Sequence, residues 1–134
     1  MKTRAIIERG KDGTYSIYTP DLSCTIVGEG ETIEKAKEDF LIGADEMRDS
    51  YMENGEPLPH ELEHLEFAYE YDTASVLEEL SPLLNMTAFA RSIGINPSLI
   101  RQYKRGQHIS PRQSRRIQDG ILQLGNRLSA YSFA

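Results

Sequence analysis

The sequence predicts an α+β chain in two parts, a β-β-β-α-β unit over residues 1–72 and an all-α unit over residues 73–134. Three observations carry this. Short strand-forming stretches separated by turn residues fill residues 3–30, and apolar and polar residues alternate in "TYSIY" and again from Leu65 to Tyr71, the period of a half-buried strand. Between those stretches Ile33, Ala36, Phe40, Ala44, Met47 and Tyr51 recur at steps of three and four, the period of a helix with one buried face. Beyond Asp72 the strand pattern stops and helix signals follow one another to the end.

The elements follow in order. "TRAIIERG" is short and rich in strand formers, and "KDG" is a turn in which Gly13 supplies a positive φ. "TYSIY" is the returning strand, broken at Pro20. "CTIVGEG" reads as a third strand ending in glycines, with Cys24 as a buried strand thiol. Thr32 is the expected N-cap of the first helix, and Glu34 sits near its positive end. Lys35, Glu38, Asp45 and Glu46 form its wet face, and Asn54-Gly55 ends it. "LEFAYEY" is the fourth strand. In the second unit Thr73 or Ser75 is expected to cap "VLEEL". Two short helices follow. Ser110, Pro111 and Gln113 then open a longer one, whose stripe is Ile117, Ile121, Leu124 and Leu128.

Charge divides the chain. Residues 1–80 hold seven Lys and Arg against twenty Asp and Glu, a net of −13; residues 81–134 hold eight against Asp119 alone, a net of +7. The basic part suits nucleic acid and the acidic part suits a basic protein, unless the two simply neutralise each other. No apolar run approaches the roughly 18 residues a membrane helix needs, so no membrane partner is expected. "MKTRAIIERG" lacks a signal peptide's apolar core, and the single cysteine cannot close an internal disulfide, which together point to the cytoplasm.

"HELEH", residues 60–64, fits the zinc-peptidase spacing H-E-x-x-H. Its setting is poor. Pro57 and Pro59 precede it, a strand follows almost at once, and the third histidine, His108, lies far off in the basic part. Two solvated histidines in an acidic linker explain the letters. No metal, cofactor or catalytic residues are expected, and the chain is not expected to be an enzyme: it has no phosphate loop, nucleophile elbow or spaced carboxylate pair.

"MTAFARSIGINPSLIRQYKRG" is the strongest signal. Ala90 lets a second helix approach, Gly94 permits a tight turn, Ile95 plugs the corner, and Asn96 and Pro97 open the next helix. This resembles the helix-turn-helix of lambda-repressor-like regulators. With Ile100 and Tyr103 inward, Ser98, Arg101, Gln102 and Arg105 face out, led by Pro97. Gln102 has the geometry to read adenine and Arg101 to read guanine. Lys104, Arg105, Arg112, Arg115 and Arg116 are expected on phosphates, a solvated helix face being the alternative for any one of them.

The first unit resembles the HicB family of type II antitoxins over residues 4–71. The resemblance rests on Asp12-Gly13, on Pro20-Asp21-Leu22, and on Gly30-Glu31-Thr32 with Ala36. It departs at one point, where the usual P-D-L-P-G-C is P-D-L-S-C (Ser23, Cys24). The resemblance implies a partial ribonuclease-H-like fold without nuclease activity. It also implies occlusion of a small basic HicA-type toxin that cleaves mRNA, and repression of the chain's own operon through the DNA-binding tail as a homo-oligomer, dimer or tetramer. Expected toxin contacts are Asp12 and Tyr15 on the hairpin, Asp21 and Leu22 on the loop, and Glu29 and Glu31 before the helix. The alternatives are a turn former, a core aromatic and solvated acids. A different reading of the whole chain is a free-standing helix-turn-helix regulator whose first unit dimerises or senses a ligand.

Overall fold

The computed structural model describes residues 2–134, which fold as α+β. Two compact units meet in sequence between Asp72 and Thr73.

The first unit holds β1 (Thr3–Arg9), β2 (Tyr15–Tyr18), β3 (Val27–Gly30), α1 (Ile33–Glu53) and β4 (Phe67–Tyr71). They form one four-stranded sheet in the order β3-β2-β1-β4, antiparallel except for the parallel β1–β4 pair. The hairpin closes through Gly13, at φ 87°, while Asp12 Oδ1 accepts from the Thr14 N–H at 3.0 Å. Thr32 Oγ1 accepts from the Lys35 N–H at 3.1 Å and starts α1; Gly55, at φ 66°, follows its end.

One face of α1 is buried on the sheet through Ile33, Ala36, Phe40 and Ala44. Phe40 meets Phe67 edge to face with ring centroids 4.7 Å apart, and such a ring stabilises the fold by about 2–3 kcal/mol through burial. Close approach of helix and sheet requires glycine at Gly28, where a Cβ would lie 2.4 Å from the Phe40 nitrogen. Met47 and Tyr51, later on the same stripe, are only half-buried.

The expectation for Cys24 needs correction. It is exposed, because a series of bends occupies residues 20–24 and β3 begins only at Val27. Thr19 closes that loop: its N–H donates to Ile26 O at 3.1 Å, and its Oγ1 accepts from the Ile26 N–H at 2.9 Å.

The second unit holds α2 (Thr73–Leu80), α3 (Met86–Ser92), α4 (Pro97–Lys104) and α5 (Pro111–Ser129) around Leu77, Phe89, Ala90, Ile95, Ile100, Tyr103 and Ile117. Each later helix has a side-chain cap. Asn85 accepts from the Ala88 N–H, Asn96 from the Ser98 N–H and Ser110 from the Gln113 N–H. Thr73 and Ser75 both lie inside α2 rather than before it, and Thr73 Oγ1 lies 2.5 Å from Ser114 Oγ on α5. The α5 stripe also runs past the core. Ile117 is buried, Ile121 and Leu124 are half-buried, and Leu128 is exposed, because no side chain of this unit packs beyond the Ile121 turn. Among the described residues no helix is long and apolar enough to cross a membrane.

Candidate functional site

Two surfaces carry the residues singled out from the sequence. The first is the outer face of α4. Asn96 and Pro97 set its start, and Gly94 at φ 74° makes the reversal that brings α3 against it. Ile100 and Tyr103 are buried, which rotates Ser98, Arg101, Gln102 and Arg105 into solvent. Arg101 Nη2 donates to Ser98 Oγ at 3.3 Å, so the two share one patch. Pro97 is half-buried at the helix start.

Lys104, expected on phosphate, is less accessible than Arg101 and Arg105. It is half-buried, and its Nζ donates to Ser81 Oγ at 3.2 Å, because its place beside the buried Ile100 and Tyr103 turns it toward the end of α2. Arg112, Arg115 and Arg116 are exposed on α5. Together they line a shallow groove of about 430 Å³ whose floor is Ile93 and Gly120. Arg116 Nη1 reaches Gly94 O at 3.5 Å, which brings this cluster to the turn before α4.

The second surface is in the acidic unit, and there the expected contacts do not converge. Asp12 is exposed at the hairpin tip, with Oδ1 accepting from both the N–H and the hydroxyl of Thr14; these bonds hold its carboxyl below the usual range. Glu31 is exposed at the same end of the sheet, 4.0 Å from Lys35, and Glu29 is exposed on β3. Asp21 and half-buried Leu22 lie at the other end of β2, roughly 13 Å away along its four residues. Asp21 is paired with Arg4 at 3.4 Å.

Tyr15 is not a surface contact. It is 4% exposed, packs in the core and accepts a hydrogen bond from Arg9 Nη1 at 2.8 Å. It shares a sheet face with Ile17, and that face is the one α1 covers.

HELEH forms a single 3₁₀ turn over His60–Leu62, and His64 lies past it at φ 52°. The two histidines therefore do not stack on one helical face. Leu62 is buried, and Glu61 accepts from both the N–H and the hydroxyl of Ser23, binding the loop at Pro20–Cys24 to this turn.

A surface outside the expected contacts is the sheet face opposite α1. There Ile6, Tyr18 and Val27 stand in one register line, with Glu8 and Glu29 two residues along. The signal was present as the second set of every alternating strand. Beside that line Arg4 Nε donates to Glu70 Oε2 at 2.6 Å, which lowers the Glu70 pKa and raises that of Arg4.

No family model, no curated protein and no solved structure matches this chain.

Proposed function

We propose that the chain is an antitoxin of the HicB type. Its first unit, a partial ribonuclease-H-like domain, binds and occludes a small basic HicA-type toxin. Its second unit, a helix-turn-helix domain, represses its own operon by binding DNA as an oligomer. The chain performs no catalysis in this reading. Occlusion means competition, with carboxylates of the acidic unit taking the toxin's cations that would otherwise hold RNA phosphate.

The observation that carries the reading is that the two fold units carry opposite net charge. Residues 1–72 hold seven Lys and Arg against eighteen Asp and Glu, a net of −11, and residues 73–134 hold eight against three, a net of +5. The α3–α4 pair supports the DNA half. A glycine reversal, a buried corner isoleucine and a capped second helix present Ser98, Arg101, Gln102 and Arg105 as a recognition helix presents its base-reading side chains.

The test is co-expression with the product of any small basic reading frame found beside the gene, together with binding of the chain to its own promoter fragment. A stable complex and salt-dependent promoter binding are expected. Promoter binding without any complex would leave the free-standing regulator instead.

A further inference from the structure

We infer that the sheet face turned away from α1 is the docking surface for a basic protein partner, with an apolar contact at its centre. This rests on the reading of the first unit as the partner-binding half and names the surface that half uses.

Register defines the face. Side chains alternate across a strand. The set that includes Ala5, Ile7, Tyr15 and Ile17 lies in the core under α1. The alternate set forms rows on the opposite face. Ile6 pairs with Tyr18 and Tyr18 with Val27, an apolar line across three strands and about 10 Å wide. Val27 is 51% exposed and Ile6 and Tyr18 are half-buried, so β-branched and aromatic carbon is presented to solvent where a one-helix sheet has nothing of its own to cover it.

The rim is acidic. Glu8 and Glu29 both pair in register with Ser16 in the next row, and Glu70 pairs with Ile6 at the far strand. The cation on this face, Arg4, is engaged by Glu70 at 2.6 Å and Asp21 at 3.4 Å.

That chemistry selects the occupant. An acidic rim repels nucleic acid and anionic lipid. A second copy laid face to face would set Glu8 and Glu29 against carboxylates of the same sign. A cationic protein surface carrying an apolar side chain satisfies both centre and rim.

The experiment uses the full chain with a small basic HicA-type protein, the product of any such reading frame found beside the gene, as probe, measured by calorimetry with the melting temperature as fold control. Val27→Arg is expected to weaken binding at least about tenfold. Glu8→Lys with Glu29→Lys is expected to do the same and to flatten the salt dependence. Glu38→Lys with Glu46→Lys, an equal charge change on the exposed side of α1, is expected to stay within about twofold. Unchanged affinity for the first two variants in a folded protein would overturn the assignment and leave the antitoxin reading standing. Equal loss for Glu38→Lys with Glu46→Lys would also overturn it, as a diffuse charge effect. A Val27→Arg protein that changes its oligomeric state but not its affinity would make the face homotypic and overturn it as well. If the parent chain forms no complex, the antitoxin reading falls and this assignment falls with it.

Discussion

Glu61 holds Ser23: its Oε1 accepts the Ser23 backbone N–H at 3.2 Å and the Ser23 hydroxyl as well. The glutamate of the H-E-x-x-H spacing is therefore a loop anchor. The residues of the departing P-D-L-S-C segment are held in place by a side chain 38 positions away. Glu61→Ala is expected to cost no more than about 1 kcal/mol, since both groups are exposed. Its signature is faster amide exchange at Ser23 by NMR.

The same geometry bears on metal. With His60 in a 3₁₀ turn and His64 beyond it, added zinc is expected to leave the melting temperature of the full chain unchanged. Sub-micromolar zinc binding by calorimetry would contradict this.

Two glycines should respond in opposite directions to alanine. A Cβ at Gly28 would sit 2.4 Å from the Phe40 nitrogen and 2.5 Å from its Cα, backbone that cannot swing away. Gly28→Ala is expected to destabilise by about 3 kcal/mol or more, as the helix is pushed off the sheet. A Cβ at Gly125 meets nothing within 4 Å in the last turns of α5. Gly125→Ala is expected to stabilise by about 0.5–1 kcal/mol. Urea unfolding of both variants checks the pair.

Acid should loosen the first unit through Glu70. Its hydrogen bond and charge pairing with Arg4 lower its folded pKa below the ordinary value of 4.5. A lowered folded pKa means stability fully present above that value and lost as pH falls through the folded one. Asp12, lowered by its bonds to Thr14, acts in the same direction from 3.8 downward. Glu70→Gln is therefore expected to lower the urea midpoint at neutral pH and to shrink the drop between pH 5 and pH 3.

Much of this was legible in the residues, and the failures have physical causes. The succession of elements along the chain and the buried face of α1 follow from period, as the stripe Ile33–Ala36–Phe40–Ala44 shows. The outward set on α4 follows from Ile100 and Tyr103 being apolar. Cys24 was misjudged because an apolar stretch does not reveal where a loop lets go, and the chain is still turning there. Tyr15 was misjudged because alternation says which residues share a face but not which face the helix takes. Leu128 keeps the helical period where the core has already ended. Lys104 carries a charge as Arg105 does, and only the packed position of α2 turns it toward Ser81.

On the basic unit, Arg112→Ala is expected to reduce the slope of log affinity for promoter DNA against log salt by about 0.9, the loss of one phosphate contact. Lys104→Ala is expected to change that slope less, because its amine is already held by Ser81. Fluorescence anisotropy across a salt series separates the two.

The most direct measurement follows two affinities in one protein, Arg101→Ala with Gln102→Ala. Both side chains are exposed on α4, and neither belongs to the acidic unit. Affinity for the promoter fragment is expected to fall by about a hundredfold, while affinity for the basic partner stays within about twofold. A folded variant that lost both affinities together would contradict the division of labour between an acidic protein-binding unit and a basic DNA-binding one.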